Sequence, residues 1–172
     1  MHSRWEDNML KYLSTCAALV LLGTGSVDAQ QQANDSAAAH VMVAPEAIKW
    51  QPLPRDWANG PPPPPGDKVL PEVAIIWGDP TKEGAPFMFR IRLGSGTTGP
   101  VSPHFHPTDE RLTVLSGVFC MGIGDKYDET ACKDMPAGSY MVMPKGMHHF
   151  AVNKDAVVEI YGIGPFKINW VR

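Results

Sequence analysis

The chain has 172 residues, of which 44% are hydrophobic and 19% charged, a length and composition typical of one globular domain with a buried core. The formal net charge is −3, from 15 basic and 18 acidic residues. The sequence therefore lacks the basic surplus needed to bind the phosphates of a nucleic acid, and we expect no such partner. The 17 Pro and 16 Gly divide the chain into short segments, which favours β-structure over long helices.

The N-terminal 29 residues have the pattern of a signal peptide. The apolar run over 12–23 is shorter than the roughly 20 residues that cross a bilayer, and small residues lie just before a polar stretch that starts at Gln30. We predict a signal peptide over 1–29, with 1–8 as a start-site artefact because Met9 begins a more conventional signal sequence. The mature protein is then expected to be periplasmic or secreted, with no membrane segment.

The remainder of the chain divides into two parts. Residues 30–69 are rich in polar residues and Pro and are predicted to be a flexible, Pro-rich N-terminal segment. Its five consecutive prolines, Pro61–Pro65, favour a semi-rigid polyproline II conformation. The pattern changes near residue 70, and we predict a β-barrel domain over 70–172.

Short apolar or alternating segments separated by turn residues predict strands in the second part. The eight segments are Val73–Trp77, Phe87–Leu93, Leu112–Leu115, Val118–Ile123, Ser139–Met143, His149–Val152, Val157–Tyr161 and Phe166–Trp170. Strands of this length and spacing are typical of a closed antiparallel barrel or a sandwich. No segment of useful length has helical periodicity.

Two histidine pairs are the clearest candidates for chemistry. His104 and His106 are two residues apart, so both rings face the same side of an extended segment. Glu110 follows four residues later, and His148 and His149 form the second pair. Two imidazoles and a carboxylate are the ligand types that hold a divalent transition metal with open positions. By itself this pattern is also compatible with polar residues on an exposed strand.

The surroundings of both pairs resemble the two sequence motifs of the cupin superfamily. The first motif, G-x5-H-x-H-x3,4-E-x6-G, is matched from His104 to Gly117, with Gly99 one residue closer to the histidines than the motif has it. The second, G-x5-P-x-G-x2-H-x3-N, is matched at every fixed position, from Gly138 to Asn153. The chain therefore resembles a single-domain metal-binding cupin, and the resemblance implies an all-β fold, the cupin-type antiparallel β-barrel or jelly roll.

The resemblance also implies the ligands of the metal. Carried over from the two motifs, they are His104, His106, Glu110 and His149. His148 competes for the last position, but the motif spacing selects His149. The implied cofactor is a divalent transition metal, which could be iron, manganese, copper, nickel or zinc.

Several functions are compatible with such a site. Three histidines and a carboxylate leave two positions of an octahedral ion open, which suits an oxidoreductase, such as a dioxygenase, that acts on a small organic substrate chelating the metal. A non-enzymatic module that binds a small molecule or metal, and a metal-dependent isomerase or lyase, are the alternatives. The fold does not decide among them. The family resemblance further implies a homodimer.

Two cysteines, Cys120 and Cys132, follow the predicted signal peptide. Disulfides persist in an exported protein, and a hairpin of this length permits Cα atoms to come within the roughly 7 Å that a disulfide requires. The sequence leaves a disulfide and two free thiols as equal alternatives.

Overall fold

The computed structural model describes residues 40–64, 71–93 and 98–172. The predicted signal peptide, the first ten residues of the Pro-rich segment and its end from Pro65 to Val69 lie outside the described residues. The strands are β1 (Gln51–Pro52), β2 (Glu72–Gly78), β3 (Pro86–Arg92), β4 (Thr98–Phe105), β5 (Glu110–Ile123), β6 (Lys133–Pro136), β7 (Tyr140–Met143), β8 (His149–Ile163) and β9 (Asn169–Trp170). The helical elements described are three short 3-10 turns, Pro45–Ala47, Arg55–Trp57 and Glu129–Ala131.

All strand pairs in the sheet are antiparallel, and β8 is its central strand. It pairs with β3, β4 and β5, and the sheet continues outward from β3 to β2 and β1 and from β4 to β9. Strand β5 also pairs with β6 and β7. The sheet curls around a shared core, so the predicted all-β jelly roll is confirmed. Val43–Arg172 forms one compact unit.

Two pairs of predicted strands are single long strands in the structure. The segments 112–115 and 118–123 both belong to β5, and the segments 149–152 and 157–161 both belong to β8. The pairing of β5 with β8 shifts register around Ser116 and Gly117, where Gly117 has a φ of 67°. Gly117 lies between two predicted strand segments, and in the structure it is part of an irregularity within one continuous strand, where its positive φ is tolerated because it has no side chain.

The sequence does not predict strand β4, although this strand carries His104. Gly99, Pro100 and Pro103 interrupt the apolar alternation there, and prolines are unfavourable in a central strand because they donate no ladder hydrogen bond. The structure accommodates this composition by a register shift between Val101 and His104 in the pairing with β8. In contrast, β2, β3 and β7 match their predicted segments to within one residue at each end.

The part of the Pro-rich segment around Trp57 packs against the barrel. Trp57 is 3% exposed, and its ring lies 5.3 Å from that of Phe89 and 5.5 Å from that of Phe166. The backbone carbonyl of Trp57 accepts a hydrogen bond from Ile168, and that of Gly60 accepts one from the indole of Trp170. Leu53 of the same segment also packs against the core. Composition alone did not indicate this packing, because a few apolar side chains such as these are enough to hold a segment that is otherwise rich in polar residues and Pro.

Cys120 and Cys132 form a disulfide with a Cα–Cα distance of 5.4 Å. It joins β5 to the residue that precedes β6, so it fixes the edge of the sheet where these two strands pair. In the part of the chain that the structure describes, no helix is long and apolar enough to span a membrane.

Candidate metal centre

The four residues that the sequence predicts as metal ligands lie together inside the barrel, where three strands begin or end. His104 is the penultimate residue of β4, Glu110 is the first residue of β5, and His149 is the first residue of β8. His106 lies in the connection between β4 and β5. Each of the four is at most 7% exposed, so they are not polar residues on an exposed strand. One ring nitrogen from each histidine lies within 4.8 Å of the other two.

Each of the three imidazoles is held at its Nδ1 atom by a backbone carbonyl. The pairs are His104 with Ser102 (2.7 Å), His106 with Lys167 (2.7 Å) and His149 with Met147 (3.0 Å). A carbonyl oxygen only accepts hydrogen bonds, so Nδ1 carries the donated proton and a neutral ring keeps its lone pair on Nε2. Metal-binding histidines are oriented in this way, with the second ring nitrogen donating to a fixed acceptor.

The carboxylate of Glu110 faces the same nitrogens. Its Oε2 atom lies 3.4 Å from Nε2 of His106 and 3.5 Å from Nε2 of His149. The first of these contacts lacks hydrogen-bond geometry, so the buried Nε2 of His106 has no hydrogen-bond partner among the described residues. A buried polar atom without a partner is costly. Three imidazole nitrogens and a carboxylate oxygen fit a divalent transition metal, and a metal at their centre would supply the missing partner.

Burial and mutual interaction set the protonation of the cluster. Burial, reinforced by His149 and His106, keeps the pKa of His104 well below its ordinary value. Burial raises the pKa of Glu110, but the imidazoles, above all His106, outweigh it and lower this pKa to about 2. Burial lowers the pKa of His106, whereas the adjacent Glu110 raises it, and the net shift is upward. The interior therefore holds an ionised carboxylate, which favours the binding of a cation.

The cluster faces a cavity of about 80 Å³ whose other walls are largely apolar. Its lining includes Ile91, Leu93, Val101, Leu112, Phe119 and Met121. Phe166 also lines the cavity and stacks on His106 with ring centroids 4.9 Å apart. Trp170 meets His104 edge-on at 5.5 Å. These contacts restrict the rings of the cluster and keep water away from one side of it.

His148 lies outside this cluster. Its Nδ1 atom is 2.7 Å from the Asp125 carboxylate, and its half-exposed ring stacks on Phe105 at 4.9 Å. Adjacent residues of an extended chain face opposite sides. Since the side chain of His149 enters the cavity, that of His148 points away from it.

The segment from Phe166 to Trp170 positions two rings of the cluster, a role that was not predicted from the sequence. The sequence predicts a strand there, but only Asn169–Trp170 is one. The role could have been predicted from the alternation of Phe166, Ile168 and Trp170, which places large apolar side chains on one face of an extended segment. The hydrogen bond from His106 to the backbone carbonyl of Lys167 cannot be predicted from the sequence, because every residue has a carbonyl group.

The antiparallel jelly roll with a histidine cluster inside it defines a cupin domain, so the resemblance seen in the two motifs is confirmed. The fold is similar to that of the polyketide cyclase RemF from Streptomyces resistomycificus, with a TM-score of 0.52 and 16% identity over 71% of this chain and 78% of that one. KdgF from Halomonas sp. gives a TM-score of 0.47 and 16% identity over 73% and 96% of the two chains. At this identity the likeness concerns the fold alone.

A family model described as a domain of unknown function, DUF4437, matches residues 54–169, and the chain belongs to this family. Germin-like protein subfamily 1 member 1 from Arabidopsis thaliana is 39% identical over 67 residues, which are 38% of this chain and 31% of that protein. The chain thus aligns with less than a third of the length of this curated relative.

Proposed function

We propose that the protein is a metal-dependent oxidoreductase, in particular a dioxygenase, that acts on a small organic substrate chelating the metal. The ligands in this proposal are His104, His106, Glu110 and His149. The observation that carries it is the shared orientation of the three imidazoles, whose Nδ1 atoms are engaged by carbonyls while Nε2 of His106 is buried without a partner among the described residues. A neutral histidine that only packs in a core would be expected to have its buried Nε2 atom hydrogen-bonded or in contact with water.

A divalent transition metal would supply a Lewis acid and, if redox-active, an electron path between substrate and dioxygen. The side chains have separate roles. Glu110 offsets one of the two positive charges, and the carbonyls of Ser102, Lys167 and Met147 hold the imidazoles in the ligating tautomer. The apolar walls exclude bulk water, which protects reactive species from side reactions. With these four residues as ligands, such a metal would keep coordination positions open for the substrate and dioxygen.

The proposal includes export to the periplasm or the exterior. The predicted signal peptide at 1–29 and the disulfide between Cys120 and Cys132 support it, because disulfides persist in oxidising compartments. A homodimer is proposed from the family resemblance only, and light scattering of the purified protein measures it.

The ligand assignment is tested by metal content. Replacement of any one of the four proposed ligands by Ala should lower metal occupancy sharply, as measured by elemental analysis of purified protein. His148→Ala is the matched control, because this neighbouring histidine points to the barrel exterior, and it should retain most of the metal. Full occupancy in His149→Ala, or loss in His148→Ala alone, contradicts the assignment.

The reaction class is tested by oxygen uptake on protein loaded separately with iron, manganese, copper, nickel and zinc. A dioxygenase should consume oxygen in the presence of its substrate with a redox-active metal and not with zinc. Equal turnover with zinc under exclusion of oxygen would instead identify an isomerase or lyase. Tight ligand binding without turnover under any metal would identify a binding module.

A further inference from the structure

Among the described residues, the side chains that the cavity offers as free hydrogen-bonding groups are those of the histidine cluster and Glu110. Outside the histidine cluster and Glu110, the polar side chains of its described lining are those of Asn153 and Trp170. Both are already engaged. The Asn153 carboxamide donates to the carbonyl and accepts from the N–H of Ala156, at 3.2 and 2.8 Å, and the Trp170 indole donates to Gly60.

No Lys, Arg, Asp, Ser, Thr or Tyr is present among the described lining residues. A charged or hydroxylated group that entered this part of the cavity would lose its hydration without gaining a partner, and that loss is costly. An apolar group that entered it would instead remove its own surface and that of the walls from water. The walls therefore select for an apolar group.

The size and charge of the site further limit the size and the charge of the ligand. The cavity volume is about 80 Å³, roughly half of the ~150 Å³ at which an apolar cavity admits benzene, so the enclosed part of a ligand is limited to a few carbon atoms. As a carboxylate ligand, Glu110 and a divalent metal would together carry one net positive charge. A head group with one negative charge balances that charge, whereas a dianion exceeds it.

We propose that the substrate carries its oxygen donors at one end, with at most one negative charge, and that the rest of it is a short apolar group. This inference rests on the proposed function, because it assumes a metal at the histidine cluster. Sugars, phosphate esters and dicarboxylates with a carboxyl group beyond the chelating head are excluded as substrates, since each would place polar groups against the walls formed by Ile91, Val101 and Met121.

The test uses two chelating probes with the same head group. Propionohydroxamate and malonic monohydroxamate differ only in an ethyl tail against a carboxymethyl tail. Their dissociation constants are measured on cobalt-loaded protein by titration calorimetry and by the visible spectrum of the cobalt, which reports ligand exchange at the ion. The ethyl probe should bind at least tenfold more tightly. Equal affinity, or tighter binding of the carboxylate probe, overturns the proposal.

A wall variant makes the test specific to the cavity. Met121→Lys introduces a cation into the wall and should shift the ratio of the two dissociation constants at least tenfold toward the carboxylate probe. Met88→Lys is the matched control, because Met88 is also half-buried but does not line the cavity, and it should leave the ratio unchanged. If Met121→Lys does not fold, Met121→Gln supplies a neutral polar side chain instead. It should reduce the preference for the ethyl probe over the carboxylate probe.

One more control concerns the segment 65–70, which precedes Pro71 of the cavity lining in the chain and lies outside the described residues. Lys68→Met in this segment should leave the ratio of the two dissociation constants unchanged. A change of more than threefold would assign the selectivity to that segment and overturn the proposal.

Failure of the proposed function is recognised separately. If elemental analysis finds no cobalt bound at the cluster, the metal assignment fails, whereas bound cobalt with the opposite probe preference refutes the substrate class alone.

Discussion

The three histidines of the cluster differ in how far along the chain their positioning groups lie. His104 and His149 donate to carbonyls two residues before them, so local strand geometry is enough to orient these rings. His106 donates to the carbonyl of Lys167, which is 61 residues away. The orientation of His106 therefore depends on the tertiary contacts that hold the chain around Lys167.

At Gly117 a positive φ and a close approach of the neighbouring backbone act together. A Cβ atom at this position would lie 2.2 Å from the carbonyl oxygen of Asp155, and the φ of 67° is unfavourable for other residues. We expect Gly117→Ala to lower the free energy of unfolding by about 2–4 kcal/mol, from the left-handed conformation and the clash together. Urea denaturation measures the change.

The control for this prediction is Gly84→Ala. Gly84 has a similar φ of 72°, but nothing lies within 4 Å of the point that a Cβ atom would occupy there. It should therefore lose only the conformational part, about 1 kcal/mol. Equal losses in the two variants would mean that the close approach of β5 to Asp155 has no energetic role.

At the scale of elements, the segment around Trp57 supports the chain that orients His106. Trp57 packs on Phe166 and its carbonyl binds Ile168, so it contacts both neighbours of Lys167. We expect Trp57→Ala to cost about 3–5 kcal/mol of stability. It should also weaken metal binding, as measured by competition with a chelator under conditions where the variant is folded.

Trp50→Ala is the control in the same segment. Trp50 is half-buried and stacks under the Arg92 guanidinium at 4.2 Å, a contact worth about 0.5–1 kcal/mol at such a site. This variant should bind metal as the unaltered protein does. If Trp57→Ala also kept the unaltered metal affinity, the link from Trp57 to His106 would be refuted.

The disulfide is the covalent link between β5 and β6. Replacing both Cys120 and Cys132 by Ser should lower stability by about 2–3 kcal/mol, because the closed loop is short. Metal content should not change, since neither cysteine lines the cavity. Denaturation of the variant measures the loss of stability.

The same bridge provides a test of export. Mass spectrometry of the natively produced protein under non-reducing conditions should find the peptides that contain Cys120 and Cys132 linked. Two alkylatable thiols would contradict the bridge and remove its support for export.

For the whole molecule, we expect metal binding to stabilise the folded state. A ligand that binds only the folded protein adds about 2.7 kcal/mol at a free concentration 100 times its Kd. For a chain of this size the corresponding rise in Tm is about 5–10 °C. Differential scanning calorimetry before and after dialysis against a chelator measures it. His149→Ala should show little rise, and a full rise in this variant would place the stabilising metal elsewhere.

The sequence predicted those parts of the molecule that depend on local pattern. Strands β2, β3 and β7 follow from apolar alternation, and His104, His106, Glu110 and His149, which the structure brings together, follow from motif spacing. Strand β4 was hidden by Gly and Pro, because its pairing depends on β8 and not on its own composition. The burial of Trp57 and the hydrogen bond from His106 to the carbonyl of Lys167 could not be predicted either, since both involve contacts between residues far apart in the chain.

The location of the cluster at strand ends has a kinetic consequence. His149 begins β8, Glu110 begins β5 and His104 lies one residue from the end of β4, and the ends of a sheet open locally far more often than its middle. An ion held there would join the beginnings of β5 and β8 to the end of β4, of which β4 and β8 are already paired at His104 and His149. Its release would then follow the rate at which these ends open together, which is much faster than global unfolding, so the protein could exchange its metal while its core stays folded.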